Sequence, residues 1–203
     1  MNAQTIRLTL SGPAGALECA VDDPPDAPAG VAVLCHPHPL HGGTLDNKVV
    51  QTLARAAVSC GWRAVRFNFR GVGGSAGTWD EGRGEVDDAL AVVNHFRTSG
   101  MALVLGGFSF GGYVASQVAR RLPAEAPARR LLLVAPAAQR FELAPVPEDT
   151  LVVHGEHDDV VPLAAVLDWA RPLSLPITVV PGAGHFFHGQ LPLLRRILTD
   201  AWP

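Results

Sequence analysis

The chain predicts an α/β fold, with a mostly parallel sheet and helices on both of its faces, and three observations carry that prediction. Largely apolar runs of strand length recur at residues 30–35, 64–69, 102–106, 130–134, 150–153 and 177–180, as strands buried on both faces require. Amphipathic stretches of helical length alternate with them, at 48–60, 84–97, 112–122, 163–171 and 190–201. Such alternation feeds parallel strands through right-handed crossovers. Ahead of these, residues 4–10 and 16–21 read as two strands joined by Ser11-Gly12-Pro13-Ala14-Gly15, a turn-rich link suited to an antiparallel hairpin at a sheet edge. One interval breaks the rhythm. Residues 135–149 hold Pro136, Pro145 and Pro147 and only a short apolar patch at 141–144, so no long helix fits there.

At 203 residues and 48% hydrophobic, the chain is long enough for one substantial core and is read as one domain over 1–203. A formal net charge of -3 supplies no basic field of the kind that draws a protein to phosphate backbones or anionic lipid, so neither nucleic acid nor membrane is an expected partner. The amino-terminal residues 1–8 show no basic segment followed by an apolar stretch, and no apolar run approaches the roughly 20 residues of a membrane span, so the expected location is cytoplasmic. Cys19, Cys35 and Cys60 form no C-x-x-C pair and read as small buried apolar residues.

Chemistry concentrates in Gly107-Phe108-Ser109-Phe110-Gly111, which lies between the apolar run at 101–106 and the helical pattern from Gly112. A serine on a tight turn between strand and helix stands on a strained backbone with its hydroxyl clear of the sheet, and the glycines let strand and helix approach closely. Gly73-Gly74-Ser75-Ala76-Gly77 has the same spacing. Ser75, however, is followed by turn-rich sequence, whereas Ser109 runs directly into a helix whose free N–H groups stabilise developing negative charge. Asp158, in Gly155-Glu156-His157-Asp158, and His185, in Gly182-Ala183-Gly184-His185, follow downstream, each just past its own strand. Ser, Asp and His in that chain order suit a nucleophile, an orienting acid and a general base. Asp159, ahead of Pro162, is the better candidate for a helix cap, and His188, beside Gly189, for a capping or solvent-facing role.

With these residues in place, the chain resembles the α/β-hydrolase superfamily, and within it the small bacterial serine hydrolases that lack a lid. The resemblance runs from Val31 to the carboxyl-terminal helix. It is anchored by His36-Pro37, by Arg66-Phe67-Asn68-Phe69-Arg70-Gly71 with Gly74-Ser75, by the Ser109 elbow and by the Asp158 and His185 loops. It implies a sheet of about eight strands and hydrolysis of carboxylic esters or thioesters of small, short-chain substrates. Larger relatives insert a cap where residues 135–149 stand, and this interval is too short to form one, so an open active site is expected. The same triad in an acyltransferase, or a non-catalytic binding protein on the fold, are the alternatives.

An oxyanion hole needs two backbone donors. Phe110, after the nucleophile, supplies one, and the other comes from His36-Pro37-His38-Pro39-Leu40-His41, where neither proline has an N–H. That leaves His38, two positions past the strand-ending histidine as the resemblance implies, with Leu40 in reserve. Leu40, Phe108 and Phe187 are the expected substrate-binding residues, with Trp79 and Phe141 as further aromatics able to reach an open cleft. Three histidines within six positions invite a metal, but the prolines stiffen the loop and no acid or cysteine completes a site, so no metal and no cofactor is expected. His36 is expected instead to bond to backbone and brace the loop. Asn47 reads as a helix N-cap, and Arg70 with Asp80, Glu81, Glu85, Asp87 and Asp88 as structural ion pairs.

Overall fold

A computed structural model describes residues 5–203, and Gln4, where the first strand was expected to begin, lies outside them. Eight strands form a single sheet: β1 (Ile6–Gly12), β2 (Gly15–Asp22), β3 (Gly30–Cys35), β4 (Arg63–Phe67), β5 (Ala102–Phe108), β6 (Arg130–Val134), β7 (Leu151–Gly155) and β8 (Ile177–Val180). Five helices lie between and after them: α1 (Lys48–Ser59), α2 (Arg83–Phe96), α3 (Phe110–Arg121), α4 (Leu163–Ala170) and α5 (Leu191–Asp200). The strand order is β1-β2-β4-β3-β5-β6-β7-β8. Only β1 with β2 and β2 with β4 pair antiparallel, so the hairpin forms one edge and the other five pairings are parallel.

Strand β3 shows why its sequence reads as unbroken apolar. Val31, Val33 and Cys35 face a core shared with α2, α3 and α4, while Ala32 and Leu34 face a second core shared with α1 and α5. A residue on either side of the strand must therefore be apolar, because neither side meets water. Residues 135–149 contain neither helix nor strand, so no cap of regular structure is inserted between β6 and β7.

Polar sequence features settle where they were expected. Asn47 Oδ1 accepts from the N–H groups of Val49 at 2.9 Å and Val50 at 3.4 Å, capping α1. Arg70 grips the buried Asp88 carboxylate through two guanidinium nitrogens at 3.0 and 2.8 Å. Glu85 accepts from Gly82 N–H at 2.8 Å and Asp80 N–H at 3.0 Å, tying the loop before α2 to its first turn.

The chain reverses direction across the sheet between β3 and β5: from β3 it moves outward to β4, then returns past β3 to β5. At such a switch point the loops leaving the carboxyl ends diverge and open a crevice. The loop after β3 carries His36 and His38, and the turn after β5 carries Ser109.

Candidate functional site

Ser109 follows β5 directly and has φ 56° and ψ -115°, a sparsely populated backbone region for a side-chain-bearing residue that costs about 1–3 kcal/mol. Close packing holds it there. Ser109 N–H donates to Val134 O at 2.9 Å, and its own carbonyl accepts from Gly112 N–H at 2.9 Å and Ala137 N–H at 3.2 Å. A Cβ on Gly107 would stand 2.1 Å from Gly111 O, and one on Gly111 would stand 2.2 Å from Cys35 O. These contacts require glycine at both positions, and α3 starts at Phe110, two residues before the helical pattern begins in the sequence. Gly111 and Gly112 weaken a helix by propensity, but here the packing leaves no room at Gly111 for anything larger.

The other two members of the candidate triad meet at short range. His185 Nδ1–H donates to Asp158 Oδ2 at 2.7 Å, which leaves Nε2 as the free ring nitrogen. Asp158 Oδ1 accepts from Val160 N–H at 2.9 Å and Val161 N–H at 2.7 Å, so the carboxylate also holds the turn that follows it. Burial pushes the Asp158 carboxyl up, but the His185 hydrogen bond, the Val161 N–H and the His185 and His154 rings together outweigh burial and hold it below the ordinary carboxylate range. Asp159 is exposed, and α4 begins after Pro162 with no side-chain cap. His188 is exposed and lies against Phe186.

His154 joins this group without any sequence signal, because it reads as one more residue of a buried strand. It ends the apolar part of β7, its Nε2–H donates to Val161 O at 2.9 Å, and the same nitrogen lies 3.5 Å from Asp158 Oδ2. Burial is the chief cause of its lowered pKa, and its Nδ1 is buried without a partner. His154 is therefore a neutral ring that braces the turn on which Asp158 sits.

Ser109 and His185 line one cleft of about 290 Å³. Phe110, at the start of α3, lines it too, and no hydrogen bond occupies its N–H or that of His38 among the described residues. Leu40 N–H, by contrast, donates to His38 Nδ1 at 3.2 Å, and its side chain is 66% exposed in the 3-10 turn Pro39–His41, outside the cleft lining. His36 is fully buried. Its Nδ1–H donates to Pro37 O at 2.6 Å and its Nε2 accepts from Phe69 N–H at 3.0 Å, which ties the loop after β3 to the end of β4. Burial lowers its pKa to about 3, with the Pro37 carbonyl pulling weakly the other way. Ser75 is committed to backbone: its hydroxyl donates to Asn68 O at 2.7 Å and accepts from Glu18 N–H at 2.9 Å.

The aromatic wall differs from the expected one. Phe108 is buried behind His185, ring centroids 4.8 Å apart, and Phe187 is buried in the core with α1 and α5; neither lines the cleft. Phe186 lines it instead and contacts His185 at 5.0 Å between centroids. Phe187 has a positive φ of 51°, and the two adjacent phenylalanines go to different places, Phe186 to the cleft and Phe187 to the core. Phe141 also lines the cleft, and Trp79 packs on His38 and Phe110 beside it. Sequence reasoning did not single out Arg140, Val160 or Val161 for this lining, and it considered His41 only as a metal ligand. Their signal is spatial, since each lies on a turn with no motif of its own.

A family model described as serine aminopeptidase, S33, matches residues 27–147. A lidless α/β serine hydrolase of Xanthomonas campestris, of solved structure, is 42% identical over 99% of this chain and 94% of its own, with a TM-score of 0.88. A solved α/β serine hydrolase homologue from Coxiella burnetii is 39% identical over 98% of this chain and 97% of its own, with a TM-score of 0.84. An uncharacterised protein of Rickettsia prowazekii is 32% identical over 96% of this chain and 87% of its own length. With that model covering more than half of the sequence and these relatives covering nearly all of it, the chain belongs to the α/β serine hydrolases.

Proposed function

We propose that this hydrolase cleaves carboxylic esters or thioesters of small, short-chain substrates through an acyl-enzyme on Ser109. The observation that carries the reading is the His185–Asp158 hydrogen bond of 2.7 Å, which commits Nδ1 and leaves Nε2 as the basic nitrogen of a ring that shares its cleft with Ser109. In the first half-reaction Nε2 takes the Ser109 proton as Oγ attacks the carbonyl, and the Asp158 carboxylate stabilises the imidazolium that forms. The tetrahedral oxyanion is received by the N–H groups of Phe110 and His38. His185 then returns the proton to the leaving alcohol or thiol. Water repeats the sequence on the acyl-enzyme, releasing the acid and restoring Ser109.

Several features support the finer points of this reading. Leu40 N–H is engaged by the His38 ring, which favours His38 N–H as the second donor. The cleft volume of about 290 Å³ lies at the small end of ligand pockets, roughly 300–1,000 Å³, and suits short acyl groups. Cys19, Cys35 and Cys60 are free thiols, which fits a reducing, cytoplasmic setting. No described helix is long and apolar enough to cross a membrane.

The matched family model favours a second reading, cleavage of an amino-terminal residue from a peptide. That chemistry asks for a carboxylate to receive the substrate's ammonium, and no acidic side chain lines the cleft among the described residues. Rates on p-nitrophenyl butyrate against alanine p-nitroanilide separate the two. Ester turnover is expected to exceed amide turnover and to fall by several orders of magnitude in Ser109→Ala with the fold retained. Near-normal ester hydrolysis by Ser109→Ala would overturn the assignment, and preferential anilide cleavage would favour the peptidase.

A further inference from the structure

The charge lining the cleft has one sign, although the chain as a whole is acidic at net -3. Its ionisable lining residues are His38, His41, His185 and Arg140, and no aspartate or glutamate is among them. Arg140 is the one permanent charge in that set. It is exposed, and no carboxylate pairs with its guanidinium among the described residues. Glu142 follows the lining residue Phe141 and Asp159 precedes the lining residue Val160, but neither lines the cleft.

The position of Arg140 is tied to the nucleophile. Ala137 N–H donates to the carbonyl of Ser109 itself at 3.2 Å, and Arg140 N–H and Phe141 N–H both donate back to Ala137 O, at 3.2 and 3.1 Å. The turn after β6 therefore fixes the backbone of Arg140 relative to the nucleophile, and Arg140 and Phe141 line the same cleft as Ser109. Its charge also acts on His38: burial first, then His41 and Arg140, lower the pKa of His38. A guanidinium that is always charged, unpaired and presented at the edge of an apolar cleft suits a planar anionic group on the substrate.

We propose that the cleft selects esters or thioesters whose chain carries an anionic group, a carboxylate in the form tested below, that Arg140 receives while the scissile carbonyl sits at Ser109. This rests on the ester-hydrolase reading and adds a substrate class to it. The same arrangement disfavours substrates with a cationic group at that end.

The test uses two p-nitrophenyl esters of adipic acid that differ only at the far end, one a free carboxylate and the other its methyl ester. The readout is the ratio of kcat/KM for the anionic substrate to that for the neutral one. Arg140→Ala is expected to lower this ratio about fivefold, the scale of one exposed ion pair, Arg140→Glu to lower it further, and Arg140→Lys to retain most of it. Raising ionic strength lowers the ratio in the unmodified enzyme. Arg196→Ala removes the same charge from α5, outside this cleft, and leaves the ratio where it was. A ratio indifferent to Arg140→Ala and Arg140→Glu, or lowered equally by Arg196→Ala, overturns the proposal. If neither ester is cleaved, the hydrolase reading fails separately. Calorimetric binding of monomethyl adipate against dimethyl adipate then decides for Arg140, with tighter binding of the anion that is lost in Arg140→Glu expected, and equal binding refuting it.

Discussion

His36 makes stability depend on pH in a way the structure quantifies. Its ring must be neutral in the folded chain, because Nε2 accepts the Phe69 N–H while Nδ1–H donates to Pro37 O. A second ring proton would face the Phe69 N–H with no acceptor. The pKa accordingly falls from the usual 6.5 to about 3. When the folded pKa lies below the unfolded one, stability is fully present above the unfolded value and is lost as pH falls below it, since only the unfolded chain then takes up the proton. At pH 5 the unfolded histidine lies about 1.5 units into its protonated range and the folded one has not begun to titrate, so about 2 kcal/mol is lost relative to neutral pH. Against a typical total of roughly 5–15 kcal/mol that is a measurable fraction. The assay is urea unfolding followed by circular dichroism at about pH 7.5 and pH 5, for the unmodified chain and for His36→Gln, whose amide can donate and accept but does not titrate. The variant is expected to be less stable at neutral pH yet to lose about 2 kcal/mol less across the window, with contributions from Asp158 and His154 common to both chains. Equal losses in the two chains, or no loss in the unmodified one, would show that this ring is not held neutral.

Two further substitutions probe how the site is supported. Gly111→Ala places a methyl 2.2 Å from Cys35 O and 2.6 Å from Cys35 C, backbone atoms that cannot step aside, so the first turn of α3 has to move. A loss of about 1–3 kcal/mol by thermal unfolding is expected, with kcat on p-nitrophenyl butyrate falling as Phe110 N–H leaves its position; an unchanged melting point refutes the contact. His154→Leu removes the donor to Val161 O and with it a brace of the Asp158 turn. It is expected to lower kcat by about tenfold to a hundredfold, with KM little changed, and His154→Gln, which keeps a donor, to recover most of the loss. A Leu variant with full kcat would assign His154 to packing alone.

The strands, the helices and the chemically distinctive residues were legible because each depends on neighbours in sequence. Doubly buried strands must be apolar on both sides, and amphipathic helices must repeat their apolar face. A serine on a tight strand-to-helix turn needs glycines where Gly107 and Gly111 stand. The meeting of Asp158 with His185 also followed, because loops at the carboxyl ends of parallel strands converge on one edge of the sheet.

Residues whose role depends on which way a turn faces were not legible. Phe186 and Phe187 are the same residue type in adjacent positions, and only the folded loop decides that one lines the cleft while the other enters the core. His154 has the surroundings of a strand residue, and its tie to Asp158 exists only once the turn at 158–161 folds back over it. Arg140 sits in a proline-rich interval without a motif, and it reaches the cleft because Ala137 bonds to the carbonyl of Ser109. Local sequence thus set the elements and the chemistry available, because periodicity and turn stereochemistry act over a few residues. Tertiary packing decided which side chains line the cleft and what charge it carries, because those depend on contacts between segments far apart in the chain.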